Sequence, residues 1–138
     1  MPTREERGTR QKFAGRYAEA RTDVVRHIER AVIGRDWGAT GYTTVRQADH
    51  LADALRLAPG MRLLDLGAGR GWPGLYLAVR TGCRVVLTDV PHAGLLDALA
   101  RAADEAVTDR VSAAVSSARA LPFRPAAFDA VVHTDVLC

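Results

Sequence analysis

The stretch Leu63–Gly74, LLDLGAGRGWPG, can be read in two registers that predict different cofactors. Counted from Gly69 it is G-R-G-W-P-G, which matches the G-x-G-x-x-G pattern of dinucleotide-binding folds, and Asp89 follows at about the spacing that this pattern requires. Counted from Asp65 it is D-L-G-A-G-R-G. In both registers an apolar run enters a glycine-rich turn and then a helix, which presents backbone amides to a nucleotide-like ligand.

The position of Asp65 favours the second register. Gly67 already ends the apolar run, so a dinucleotide loop that begins at Gly69 would start two residues late. Asp65 lies inside an otherwise apolar strand, where an unsatisfied charge is costly. A pyrophosphate would be repelled by this carboxylate, whereas a ligand with an ammonium group and a sulfonium would be attracted. Asp89 can accept two hydrogen bonds from a ribose diol in either case, so it does not separate the registers.

Alternating strand and helix patterns predict the fold class. The apolar runs lie at 61–66, 84–88, 111–115 and 128–133, and helices are expected from about Trp72 and over about 93–106. This alternation predicts an α/β fold with a Rossmann-like, doubly wound parallel sheet, incomplete at about four strands and preceded by N-terminal helices. We divide the chain into an N-terminal helical segment, 1–57, and a Rossmann-like core, 58–138.

The N-terminal segment is expected to form two helices. Apolar residues recur at threes and fours over about 11–33, which predicts one amphipathic helix that stops at Gly34, and Thr43 or Thr44 can cap a second. Residues 1–36 contain nine Arg and Lys against six Asp and Glu, which accounts for the whole net charge of +3. Because acids alternate with the arginines and few aromatic residues accompany them, a solvated helical face is favoured over a nucleic-acid-binding surface.

Several classes of protein are disfavoured by composition. No apolar run has the length of a membrane span and the N-terminus has no signal-peptide pattern, so we expect a cytoplasmic protein without membrane partners. Cys83 and Cys138 are the only cysteines, and no metal site is predicted. The last predicted strand ends five residues before Cys138. We therefore expect a truncated form or a fragment, or a chain that protects its open sheet as a homodimer.

Three ordered motifs resemble the class I S-adenosylmethionine-dependent methyltransferases, in their small-molecule branch. Residues 63–71 are similar to motif I of that family, VVLTDV at 85–90 to its second motif, and ALPFRPAAFDAVVHTDVLC at 120–138 to its LPF…FDAV segment. The resemblance covers about 41–138. It implies methyl transfer from S-adenosyl-L-methionine to a small-molecule acceptor. It also implies that residues 1–57 lie on the cap and substrate side, and that the core, 58–138, binds S-adenosylmethionine and lacks its C-terminal half. The alternatives are a truncated, catalytically incompetent cofactor-binding fragment and an NAD(P)- or FAD-dependent oxidoreductase.

The resemblance also implies a cofactor site. Asp65 would orient the loop and face the methionyl end of the cofactor, and Asp89 would bind the ribose hydroxyls. The other implied cofactor-binding residues are Gly67, Ala68, Gly69 and Gly71 by their backbone, Val90 beside the adenine, Ser117 and Ala118, and the backbone of His133. The family commonly has an acid that accepts from the adenine amine, and Ser117 stands at that position here.

Further residues have two interpretations each. His133 and Asp135, at the end of the fourth strand, are candidate general bases or structural residues. Arg70 either pairs with a carboxylate of the cofactor or substrate, or is exposed to solvent. Trp72 either lines the cofactor pocket or packs at the start of the helix. The segment 41–44, GYTT, either closes over the methionine moiety, as in some members of the family, or is only a loop and helix cap.

Overall fold

The computed structural model describes residues 1–39 and 41–136, and it confirms the predicted α/β, Rossmann-like class with a parallel sheet of four strands in that part of the chain. In chain order the elements are α1 (Arg4–Glu19), α2 (Asp23–Ile33), α3 (Val45–Ala54), β1 (Arg62–Leu66), α4 (Gly74–Thr81), β2 (Arg84–Asp89), α5 (His92–Asp104), β3 (Val111–Val115) and β4 (Ala130–His133). No helix in these described ranges has both the length and the apolar character that crossing a membrane would require.

The strands are arranged in the order β3-β2-β1-β4, with every pair parallel. Leu63 of β1 lies opposite Val85 of β2 on one side and Ala130 of β4 on the other. The chain therefore proceeds outward from β1 through β2 to β3 and then returns to the opposite side of β1. Ligands of open α/β sheets bind at the carboxyl ends of the strands at such a reversal of strand order, which places the expected site above β1.

The core lies between the sheet and the helices that connect its strands. Leu63 and Leu87 are fully buried, and helices α4 and α5 cover them with Leu75 and Leu95. Burial of one such side chain contributes about 1.5–3 kcal/mol to folding. Three successive residues of β1 are buried, as is typical of parallel strands, and the buried residues of α4 and α5 recur at helical spacing, so the sequence pattern is sufficient to identify these elements.

The single helix predicted over about 11–33 is wrong, because the structure has two helices there. Helix α1 begins at a capping box formed by Thr3 and Glu6, and α2 ends at Gly34 in the left-handed conformation with φ of 87°, as the glycine predicted. The break between them follows Ala20, where Arg21 forms an ion pair of 2.6 Å with Asp97 on α5. A contact with a distant helix, and not a local glycine or proline, accompanies the change of direction.

Helix α3 begins after Thr44, whose side chain and that of Gln47 form a second capping box. Of the two predicted caps, Thr43 and Thr44, the structure uses Thr44. Helix α4 begins at Gly74, after Pro73, and α5 spans His92–Asp104, so both helices start within about two residues of the predicted positions. These elements deliver the glycine-rich loop to the carboxyl edge of the sheet.

Candidate functional site

The glycine-rich loop lies between β1 and α4 and follows the Asp65 register. Gly67, Gly69 and Gly71 have φ angles of 69°, 56° and 105°, a region that side chains strongly disfavour. A Cβ atom at Gly71 would also lie 2.8 Å from the Cβ of Ala98 on α5. Gly74 is the first residue of α4, where a Cβ atom would lie 2.5 Å from Oδ2 of Asp65. The three glycines with positive φ are therefore those counted from Asp65.

Asp89, at the end of β2, holds this loop against the sheet. Its Oδ2 accepts a hydrogen bond of 2.7 Å from the amide of Gly69, and its Oδ1 accepts one of 2.8 Å from the amide of Val90. Burial raises the pKa of Asp89, and the two amide hydrogen bonds act in the opposite direction. The amide of Ala68 donates to the carbonyl of Thr88, which fastens the loop to β2 a second time. A carboxylate thus faces the middle of the glycine loop.

Asp65 lies beneath the loop and is 1% exposed. Its Oδ2 accepts a hydrogen bond of 2.9 Å from the amide of Gly74 at the start of α4. Its Oδ1 is buried and has no hydrogen-bond partner within the described residues. Burial raises the pKa of Asp65 well above its usual range, and the Asp89 charge raises it further against the effect of the Gly74 hydrogen bond. The carboxyl group fixes the start of α4 with one oxygen and leaves the other in need of a donor.

Arg70 is buried, so its solvent-exposed interpretation is wrong. The side chain is 2% exposed, and its Nε lies 3.3 Å from Oδ2 of Asp97 on α5. One terminal guanidinium nitrogen donates to the carbonyl of Ala20 at the end of α1, at 3.4 Å. The backbone carbonyl of Arg70 accepts a hydrogen bond of 2.8 Å from Arg101. Arg70 therefore joins the loop to α1 and α5 and is committed to protein partners.

A second set of buried charges supports the loop from behind. Arg101 forms an ion pair of 3.3 Å with Asp36, and Asp36 neighbours Glu29, which is 5% exposed. Burial, followed by the neighbouring Asp36, raises the pKa of Glu29. Although burial acts in the opposite direction, the charge of Arg101 holds the pKa of Asp36 below its usual range. Glu29 also accepts a hydrogen bond of 2.8 Å from the amide of Ala39, so this cluster of charges fixes the position of residues 36–39.

The GYTT segment is fastened at the carboxyl edge of the sheet by Asp135 and Trp72. Oδ2 of Asp135 accepts hydrogen bonds from the amides of Tyr42 and Thr43, at 2.9 and 3.2 Å, and from the Thr43 hydroxyl at 3.0 Å. The indole of Trp72 donates to the carbonyl of Thr43 at 2.9 Å and packs against Tyr76. Trp72 is thus packed at the start of α4, and the candidate base Asp135 uses one carboxylate oxygen to hold this segment.

The remaining predicted site residues lie along the same edge. Val90 follows Asp89 directly, and Ser117 and Ala118 lie in the loop after β3, where the Ser117 hydroxyl accepts from the amide of Arg119 at 3.2 Å. His133 ends β4 with an exposed side chain. Cys83 is buried and free, and within 1–39 and 41–136 no group of His, Cys, Asp and Glu is arranged to hold a metal ion. Cys138 lies outside the described residues.

Replacing Asp65 by Asn should stabilise the free chain relative to the parent, and this difference should grow as the pH rises. The raised pKa means that the stabilising contribution of Asp65 is complete below its unfolded-state pKa and is lost as the pH rises through its folded-state pKa. Asp65→Asn removes this buried charge, so the variant should match the parent near pH 4 and exceed it by about 1–3 kcal/mol at pH 8. Urea unfolding over this pH range measures the difference. The exposed control Asp104→Asn should show no such trend, and an Asp65→Asn difference independent of pH would contradict the assignment.

Gly38→Ala should destabilise the protein more than Gly34→Ala, although both residues have left-handed backbones. At Gly34 a Cβ meets no atom within 4 Å, so only backbone strain of about 1–2 kcal/mol is expected. At Gly38 a Cβ would lie 2.5 Å from the Arg70 carbonyl oxygen and 2.6 Å from the Arg101 guanidinium, which adds about 1–3 kcal/mol of overpacking. Denaturant unfolding measures the loss of unfolding free energy in both variants. Equal losses would show that residues 36–39 are not closely packed against the loop.

Comparison with known proteins agrees with this geometry. A family model described as a methyltransferase domain matches residues 63–138. The 27-O-demethylrifamycin SV methyltransferase of Amycolatopsis mediterranei is 36% identical over 88 residues, which are 64% of this chain and 32% of that protein. The methyltransferase GfsG of Streptomyces halstedii is 34% identical over 86 residues, 62% of this chain and 31% of that protein. The chain thus spans about a third of the length of these curated relatives.

A solved structure extends the agreement to three dimensions. The S-adenosylmethionine-dependent methyltransferase of Geobacter sulfurreducens, solved with S-adenosyl-L-homocysteine, superposes with a TM-score of 0.53 at 32% identity. The match covers 58% of this chain and 32% of that one. The strand order, the loop register and these similarities lead to one conclusion. The chain belongs to the methyltransferase-domain family, among the class I S-adenosylmethionine-dependent methyltransferases.

Proposed function

We propose that this chain binds S-adenosyl-L-methionine over the Gly67–Gly71 loop, and that the protein uses it to methylate a small molecule. The observation that carries the proposal is the buried Asp65 carboxyl, whose Oδ1 has no partner in the described part of the chain. A cationic donor is the complement of such a group, since a buried carboxylate is tolerated only when it is paired and hydrogen-bonded. S-adenosyl-L-methionine has two cationic groups, an ammonium and a sulfonium, that could pair with this carboxylate.

The residues present fit the rest of the cofactor. Gly67, Gly69 and Gly71 give the loop the positive φ angles of a tight turn at the carboxyl end of β1, where ligands of open α/β sheets bind. Asp89 already accepts hydrogen bonds from two amides, and a carboxylate has lone pairs left for the two ribose hydroxyls. Val90 is the next residue after Asp89, and we assign it to contact with the adenine. We assign Asp65 to the methionyl end and Asp89 to the ribose, which orients the cofactor along the edge of the sheet.

The cofactor supplies an electrophilic methyl group when bound. The chain's own contribution would be to hold and enclose the reacting groups, and ideal positioning can lower a barrier by about 7–11 kcal/mol. The GYTT segment, held by Trp72 and Asp135, is placed to exclude water from the methionyl end. His133 stays a candidate for taking a proton from the acceptor. Asp135 is assigned to positioning, because its Oδ2 already accepts three hydrogen bonds.

A small-molecule acceptor is the class that the comparisons favour. One relative is named for 27-O-demethylrifamycin SV, a small molecule. Two arginines of the N-terminal segment agree with this interpretation, because Arg21 and Arg35 are paired with Asp97 on α5 and with Glu105 just after it. Arginines paired in this way are less available to the phosphates of a nucleic acid. We therefore propose a small-molecule acceptor and no nucleic-acid partner.

Asp89→Ala should weaken the binding of S-adenosyl-L-methionine by about 10- to 100-fold, because hydrogen bonds to a charged group are lost. Isothermal titration calorimetry of the purified chain measures the dissociation constant. The variant Asp104→Ala removes an exposed acid from the end of α5 and should bind as the parent does. Unchanged affinity in Asp89→Ala would overturn the assignment of this residue.

The same titration distinguishes the two registers. The parent chain should release or absorb heat with S-adenosyl-L-methionine and none with NADH, because the carboxylate of Asp65 repels a pyrophosphate. Heat from NADH alone would overturn the proposed cofactor. The absence of heat from both cofactors would favour the alternative that this chain is an incompetent fragment.

A further inference from the structure

A cavity of about 180 Å³ lies beside the proposed ribose site, between the sheet and the N-terminus of α1. Val90 lines it from the end of β2, and Val115, Ser116 and Ser117 line it from the end of β3. Met1, Pro2, Glu6 and Arg10 complete the lining from the N-terminal side. Because Val90 is adjacent to Asp89, a ring attached to a ribose held by Asp89 would enter this cavity.

The lining combines apolar surface with a few polar groups. Val90 and Val115 offer flat apolar contact to a ring, and the hydroxyl of Ser116 is buried with no hydrogen-bond partner within residues 1–39 and 41–136. An unsatisfied buried hydroxyl needs a partner that the described protein atoms do not provide. A heteroaromatic ring with nitrogen atoms at its edge would provide one. Of the eight lining residues, Glu6 alone has a carboxylate.

The capping box of α1 holds the Glu6 side chain in place. Its Oε2 accepts a hydrogen bond of 2.7 Å from the amide of Thr3, and its own amide donates to the Thr3 hydroxyl at 3.1 Å. The amide of Thr3 lowers the pKa of Glu6, and the Ser117 hydroxyl and Arg10 act in the same direction. The lowered pKa means that Glu6 lines the cavity as an ionised acceptor, with Oε2 used by the cap and the Ser117 hydroxyl as a neighbour.

We propose that Glu6 is a specificity-determining residue that accepts a hydrogen bond from the exocyclic amine of the adenine ring. It thereby supplies, from α1, the carboxylate that Ser117 cannot supply. The proposal rests on the proposed function, because it assumes that the adenosyl group occupies this cavity. A carboxylate accepts but cannot donate, so it favours an amine at this position of the ring and repels a carbonyl oxygen.

The test compares S-adenosyl-L-homocysteine with S-inosyl-L-homocysteine, in which a carbonyl replaces the amine. Calorimetric titration should show that the parent chain binds the adenosyl compound at least about tenfold more tightly, because a carbonyl would leave Glu6 unpaired. In Glu6→Gln this ratio should fall to about threefold or less, since the amide of Gln can donate as well as accept. Gln also preserves the capping box, so circular dichroism and thermal stability should match those of the parent.

Glu5→Gln is the matched control. Glu5 is the neighbouring acid and pairs with Arg119 at the surface, at 3.2 Å, and it does not line the cavity. This variant should retain the parent's preference. An unchanged ratio in Glu6→Gln, an equal fall in Glu5→Gln, or a parent chain without preference would each overturn the role of Glu6. Failure of the parent to bind either compound would instead contradict the proposed function, so the two failures are distinguishable.

Discussion

The hydrogen bond between the Asp65 carboxyl and the amide of Gly74 is the interaction on which the geometry of the site depends. It links the middle of β1 to the first residue of α4, so it closes the loop that contains Gly67, Gly69 and Gly71. The approach is close enough that a Cβ at Gly74 would lie 2.5 Å from Oδ2 of Asp65. A carboxyl group buried with one unpaired oxygen destabilises the free chain, and such local costs are concentrated at functional sites.

The loop is also fixed from outside, by charges that the N-terminal helices and α5 contribute. Arg70 is joined to Ala20 and Asp97, and Arg101 joins the Arg70 carbonyl to Asp36. Removing one partner from such a buried network is costly, because the remaining charge is left without compensation. The N-terminal segment is therefore packed against the glycine-rich loop. Its cavity-lining residues, Glu6 among them, extend this relationship to the proposed adenine site.

The sheet and the glycine loop could be predicted from the sequence because their signals are local. Apolar runs define the strands, and the spacing of Asp65 from the glycines defines the register. The break between α1 and α2 had a local signal in Thr22, the N-cap residue of α2, whereas the burial of Arg70 could not be predicted, because it involves a contact with Asp97, which is remote in sequence. Glu6 was missed for the same reason. Its local signal, T-x-x-E, marks a helix cap, whereas its position beside Ser117 arises only from packing.

The pKa of Asp65, measured by carboxyl-carbon NMR in the free and the cofactor-saturated chain, tests the central claim most directly. In the free chain the pKa of the buried carboxyl is raised, because burial leaves its charge uncompensated. A bound cation compensates that charge, so saturation with S-adenosyl-L-methionine should lower the pKa by at least about one unit, which corresponds to about 1.4 kcal/mol. A pKa that is unchanged or higher in the saturated chain would contradict the account.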